Sequence, residues 1–231
     1  MREKNPIIVA LDVENADKAR ELVRRLGDAV SFYKVGLELF TAAGMPFVRE
    51  LIDGGLSVFV DLKLYDIGET VKRTVERVSE SGAHLLTVHA MSAVMRAAAQ
   101  GRGDSHLKLL AVTVLTSFDQ RDLGEDGDER RVEQVVDTRV RNAVDCGIDG
   151  VVCSPLDAER VRRALGPNRL LVTPGVRSAT AATGDQKRIA TPAEAIRAGA
   201  DYLVIGRQVT RAADPAGEAR RILDEIAASV S

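Results

Sequence analysis

The segment Val60-Asp61-Leu62-Lys63-Leu64-Tyr65-Asp66 has the sharpest chemical character in the chain. Asp61 and Lys63 stand two apart, and residues two apart on a strand share a face. The apolar flank Val58-Phe59-Val60 places the body of that strand inside. Burying either charge alone would cost on the order of several kcal/mol, so the two belong together. With Lys34 from a neighbouring strand-like run they can form an alternating acid–base array. An isolated Asp/Lys pair could equally be a structural ion pair at a rim. Lys34, Asp66 and Asp12 in addition favour catalysis.

A second set of residues suits an anion. Gly175-Val176-Arg177 and Gly206-Arg207 close two strand-like runs. Glycine lets backbone N–H groups approach an anion, and the planar arginine fork matches phosphate oxygens. Gly184-Asp185-Gln186 could fold over such a site as a lid. Arg207 alone would ordinarily be a surface salt bridge; its place beside a second glycine-bearing strand end favours phosphate. His89 has a weaker claim, since a lone histidine at a strand end is usually a hydrogen-bonded structural residue. Ser154 could meet a substrate, but Ser154-Pro155 also reads as a turn or helix start. There is no Ser/His/Asp order, no zinc spacing and no P-loop.

These residues need elements that bring them together. Strand-like runs rich in Val, Ile and Leu occur at Pro6–Asp12, Ser31–Gly36, Ser57–Lys63, His84–Ala90, Lys108–Leu115, Gly150–Cys153, Leu170–Gly175 and Tyr202–Arg207. Without strict alternation they suit parallel strands covered on both faces. Helical spacing appears between them, at Asn15–Leu26, Pro46–Ile52, Glu69–Ser81, Ala93–Gln100, Arg131–Cys146, Leu156–Leu165, Pro192–Ala198 and Pro215–Ser229. Eight β/α repeats without a linker predict one closed (β/α)8 TIM barrel over residues 1–231. An open doubly wound sheet would also alternate, but no G-x-G-x-x-G turn follows the first strand. The polar connections Ser117–Arg130 and Arg177–Arg188 follow strands, on the face where barrel active sites form. There Asp12, Lys34, Asp61, Lys63, His89, Thr116, Ser154, Arg177, Gly206 and Arg207 would converge.

Composition bounds the function. The chain has 231 residues, 45% hydrophobic and 29% charged, an ordinary globular balance. Lys plus Arg number 32 and Asp plus Glu 34, for a net charge of −2. That argues against general nucleic-acid binding, which needs a basic excess. No apolar run approaches the roughly 18 residues of a membrane span. Cys146 and Cys153 have no metal or CxxC spacing, so free thiols in a reducing cytoplasm are expected. Three scattered histidines make a histidine-rich metal site improbable.

Asp61-x-Lys63-x-x-Asp66-Ile67, Leu115-Thr116-Ser117, Thr173-Pro174-Gly175-Val176-Arg177, Gly184-Asp185-Gln186 and Ile205-Gly206-Arg207 together resemble the orotidine 5'-phosphate decarboxylase family. The resemblance runs in order from about Ile8 to Pro215. It implies a cofactor-free, metal-free conversion of orotidine 5'-phosphate to uridine 5'-phosphate and CO2 in de novo pyrimidine biosynthesis. It implies that Lys63 is the proton donor at C6 of the pyrimidine, with Asp61 beside the substrate carboxylate. Lys34 would bridge Asp61 and the ribose, and Asp12 would bind a ribose hydroxyl. Thr116 and Ser154 would lie along the pyrimidine. Arg177, Gln186, Gly206 and Arg207 would hold the phosphate. Asp66, Ile67 and Thr70 would enter the site from the second subunit of a homodimer. The chain departs from the common family pattern at Tyr65, at Gly68 and at Ala90-Met91-Ser92-Ala93. Two other readings remain: a Mg²⁺-dependent phosphosugar decarboxylase or aldolase, and a barrel that only binds a nucleotide.

Overall fold

The computed structural model describes residues 5–178 and 190–230. Eight parallel strands pair in chain order: β1 (Ile7–Ala10), β2 (Phe32–Gly36), β3 (Ser57–Leu64), β4 (Leu85–His89), β5 (Lys108–Val112), β6 (Gly150–Val152), β7 (Leu170–Pro174) and β8 (Tyr202–Ile205). β8 pairs with β1, which closes the barrel. The expected (β/α)8 architecture is therefore present. The helices are α1 (Ala16–Leu26), α2 (Leu37–Asp53), α3 (Gly68–Ser79), α4 (Ser92–Arg102), α5 (Gln120–Glu125), α6 (Val132–Asp145), α7 (Ala158–Leu165), α8 (Pro192–Arg197), α9 (Arg207–Thr210) and α10 (Pro215–Val230).

Alternation along the strands sorts their side chains into two apolar sets. Ile8, Phe59, Leu85, Leu110, Val172 and Tyr202 form one cluster, the filling of the barrel. Val9, Val35, Val60, Leu86, Ala111 and Leu203, on the opposite strand faces, join the larger cluster beneath the helices. Both faces of each strand are thus buried, which is why the runs read as continuously apolar. Helix starts follow local chemistry. The Asn15 side chain accepts from the Lys18 amide and caps α1. Thr191 and Glu194 form a capping box at α8, with Pro192 in its first turn. Such caps contribute about 1 kcal/mol each.

Several elements differ from the sequence reading, among them β5, which ends at Val112 and not at Leu115. α2 begins at Leu37 rather than at Pro46, and Gly44, at φ 62°, breaks it in the middle. Pro46 opens the second half, so the proline signal was local to that half only. The polar connection after β5 contains the short helix α5, capped by Asp119. β8 ends at Ile205, and Arg207 opens α9 instead of finishing the strand. Both cysteines are free thiols, and Cys153 is buried. No helix among the described residues is long and apolar enough to cross a membrane.

α3 and α4 approach very closely. A side-chain carbon added at Gly101 would lie 2.3 Å from the Lys72 carbonyl oxygen, so only glycine permits this spacing. The pair carries a rim on which Tyr65, Ile67 and Met91 are 67%, 72% and 45% exposed.

Candidate active site

β2 and β3 deliver the charged residues to one end of the barrel. Phe32 and Lys34 share a strand face, as do Phe59, Asp61 and Lys63, so the charges stand directly above the apolar filling. The Lys34 ammonium donates to Asp12 Oδ1 at 2.8 Å and lies 3.6 Å from Asp61 Oδ2. The Lys63 ammonium donates to Asp61 Oδ1 at 3.0 Å. The four groups form the alternating array Asp12–Lys34–Asp61–Lys63. Gly36 leaves room for it, because a Cβ there would be 2.8 Å from Lys34 Nζ.

Asp61 is the centre of the array, with its side chain only 13% exposed. Burial pushes its carboxyl up. The nearby Lys34 and Lys63 ammoniums and the hydrogen bonds from Lys63 and Thr87 outweigh that and hold it below the usual carboxylate range. Asp61 is therefore an anion across the neutral range.

Lys63 has φ 50°, the only positive φ outside glycine among the described residues. That conformation costs roughly 1–2 kcal/mol. It falls where the β3–β4 register shifts between Val60 and Leu64. Thr87 on β4 fills the gap: its Oγ1 accepts from the Lys63 amide at 2.9 Å and donates to Asp61 Oδ1 at 2.8 Å. Strain of this kind concentrates at functional sites.

The array forms one wall of a cavity of about 470 Å³, in the range of small-ligand sites. Phe59, Val112, Val152 and Val204 line its apolar floor, and Thr116 and Ser117 a side. Gly175, Arg177, Gly206 and Arg207 line another part, with Glu38 and Arg211 also on the cavity surface. Burial and the nearby Arg207 charge push the Arg177 guanidinium below its usual value. Paired guanidinium groups of this kind are a suitable donor set for an anion.

A polar network fixes those arginines. Ser178, the residue after Arg177, donates its amide to Gln208 Oε1 at 3.0 Å and its hydroxyl to Glu225 Oε2 at 2.6 Å. Gln208, the residue after Arg207, donates to Ser178 Oγ and to Glu218 Oε1. Val176 pairs with Ala190 across the base of the connection between them.

Of the residues singled out from the sequence, Asp12, Lys34, Asp61, Lys63, Thr116, Arg177, Gly206 and Arg207 line this one cavity. Ser154 is buried and outside the lining; its Oγ accepts from the Leu156 amide at 3.3 Å and caps a 3-10 turn. The turn-former reading of Ser154-Pro155 describes that geometry, and the neighbouring Cys153 reaches the lining instead. Asp66 and Ile67 are exposed and Thr70 half-buried, all outside this chain's cavity lining. Asp66 Oδ1 accepts from the Ile67 amide at 2.6 Å. Gln186 and Gly184-Asp185 lie outside the described residues. His89 packs against Tyr65, ring centres 5.4 Å apart, and burial, Arg139 and Lys63 lower its pKa. Thr87, Ser178 and Gln208 were not picked out from the sequence. The signal for Thr87 was available: a hydroxyl inside the apolar run Leu85-Leu86-Thr87-Val88.

Comparison with known proteins gives a consistent picture. Residues 5–222 match the family model described as "Orotidine 5'-phosphate decarboxylase / HUMPS family". The orotidine 5'-phosphate decarboxylase of Rhodopseudomonas palustris (strain BisB5) is 53% identical over 225 residues, 97% of this chain and 96% of that protein. The enzyme of the same name from Methylobacterium sp. (strain 4-46) is 53% identical over 227 residues, with coverage of 97% and 96%. The crystal structure of orotidine 5'-phosphate decarboxylase from Lactobacillus acidophilus superposes with a TM-score of 0.85 at 35% identity, covering 96% of this chain and 99% of that one.

Proposed function

The chain belongs to the orotidine 5'-phosphate decarboxylase / HUMPS family, and from that membership we propose that it converts orotidine 5'-phosphate to uridine 5'-phosphate and CO2 in pyrimidine biosynthesis. The observation that carries this reading is a buried carboxylate, Asp61, held between two ammoniums at one wall of a cavity that also bears paired arginines. The 5'-phosphate binds at Arg177 and Arg207, and the ribose hydroxyls meet Asp12 and Lys34. The orotate carboxylate then lies against Asp61, and C6 against the Lys63 ammonium.

Breaking the C6–carboxylate bond releases CO2 and leaves the bond's electron pair on C6. The fixed Lys63 ammonium stabilises that developing charge and then transfers its proton to C6. Lys63 is left as a neutral amine and recovers a proton from water. Asp61 repels the substrate carboxylate, a repulsion that fades as CO2 departs. The array is held by the protein before substrate arrives, so little reorganisation is needed in the transition state. No metal or organic cofactor takes part in this scheme.

The direct test is the absorbance of orotidine 5'-phosphate, which should fall on adding the protein and fall equally in EDTA. Loss of turnover in EDTA would favour the metal-dependent phosphosugar chemistry instead. No change in absorbance, with the nucleotide shown to bind, would leave only a nucleotide-binding barrel.

The same reading makes the protein a homodimer whose sites are shared. Asp66, Ile67 and Thr70 reach the partner's cavity from the rim that bears Tyr65, Ile67 and Met91. An exposed apolar rim beside charged groups suits contact with a second copy. Lys63→Ala and Asp66→Ala dimers should each be nearly inactive. After subunit exchange, about half the dimers are mixed and half of their sites are intact, so activity should recover to about a quarter of the parent value. No recovery, with exchange verified by mass, would mean that Asp66 serves its own chain.

A further inference from the structure

We propose that Thr87 is a positioning residue for the reaction: one hydroxyl fixes the side chain of Asp61 and the backbone of Lys63 together. The inference rests on the decarboxylase reading and adds to it a residue that does not line the cavity.

The geometry allows only one direction of hydrogen bonding. The Lys63 amide can only donate, so at 2.9 Å the Thr87 oxygen must accept. A hydroxyl has a single proton, and Thr87 gives it to Asp61 Oδ1 at 2.8 Å. The chain therefore runs from the Lys63 amide through Thr87 to Asp61, where it ends on a carboxyl oxygen. Thr87 is fully buried, so no water can replace it without rearrangement.

This matters because the two reacting groups are set by different degrees of freedom. The position of the Lys63 ammonium depends on a backbone held at φ 50°, beside a register shift that leaves its amide outside the regular ladder. The Asp61 carboxylate depends on its side-chain rotation. Without Thr87 the amide loses the partner that compensates the left-handed turn. Asp61 loses the neutral donor that shares Oδ1 with Lys63.

The groups around Asp61 are few. Lys34 faces it from β2 and Lys63 from its own strand, while Asp12 acts through Lys34. From β4 come Thr87 and, further along, His89, which is close enough to Lys63 to be affected by its charge. Of the groups that contact Asp61 directly, only Thr87 can be altered without changing a charge or touching the substrate.

The test compares Thr87→Val, which keeps shape and loses the hydroxyl, with Thr87→Ser, which keeps the hydroxyl. Thr87→Val should lower kcat roughly a hundredfold, the scale of an ångström-sized misplacement of a catalytic group. KM should stay within about threefold, since phosphate and ribose are held elsewhere. A carboxylate that loses a donor titrates higher, so the acid limb of the kcat profile should move to higher pH. Carbon-13 NMR of the Asp61 carboxyl should show the same upward movement without any substrate present. Thr87→Ser should restore kcat to within a fewfold of the parent (about threefold) and restore the Asp61 titration. The proposal is overturned if Thr87→Val keeps its kcat, if the Asp61 titration does not move, or if Thr87→Ser is as impaired as Thr87→Val. If the parent itself does not decarboxylate the nucleotide, the decarboxylase reading fails separately. The NMR titration of the three proteins still decides whether the hydroxyl controls Asp61.

Discussion

Lys63→Ala should lose turnover by on the order of 10⁵-fold or more, because in the proposed mechanism one ammonium both stabilises the C6 charge and supplies its proton. The two effects act in turn on the same carbon, so no group placed elsewhere can take over half of the task. Lys34, the nearest other cation, is engaged by Asp12 at 2.8 Å and faces Asp61 from the opposite side. Product affinity should change by less than about tenfold, since the loss is confined to the transition state. The measurement is kcat under saturating orotidine 5'-phosphate, with uridine 5'-phosphate binding followed in parallel. A variant within tenfold of the parent would remove the mechanism.

Arg207→Ala should lower kcat/KM for the nucleotide by roughly a thousandfold, the scale of deleting one side of a charge-assisted contact. Both kcat and KM should suffer, since remote binding energy is used to organise the reacting end. Arg177 stays in place, because its neighbour Ser178 is held by Gln208, Glu225 and Arg221 rather than by Arg207. Part of the phosphate grip therefore survives. Orotidine without its phosphate should be a very poor substrate for the parent, and the mutation should hardly alter that rate. Equal losses on nucleotide and nucleoside would make Arg207 structural.

The barrel was legible because each strand is apolar on both faces and each helix on one. That pattern repeats eight times, and its period does not depend on distant partners. The charged strand ends were legible for a related reason: Asp61 and Lys63 interrupt an otherwise apolar run at spacing two. What was not legible depends on contacts between elements. Ser178 and Gln208 acquire their meaning only when β7 and β8 lie side by side. The left-handed backbone at Lys63 arises from the β3–β4 register, which no local preference of lysine announces. Arg207 was placed at the end of a strand although it starts α9, since Gly206-Arg207 carries no helical period of its own. The first half of α2 was missed because Pro46 gave a stronger start signal than Leu37.

The cavity lining described above also has an electrical balance. Among the described residues it holds five cationic side chains, Lys34, Lys63, Arg177, Arg207 and Arg211, against three anionic ones, Asp12, Glu38 and Asp61. The surplus of two matches a phosphate dianion. In the proposed binding mode the substrate brings a third negative charge, its carboxylate, which finds no counterpart in this lining and faces Asp61. Loss of CO2 moves that charge to C6, and the proton from Lys63 cancels it. Once Lys63 has taken up a proton from water, the charges of the described lining and of the product balance. Under the proposed chemistry, the site is electrically mismatched to what it receives and matched to what it releases.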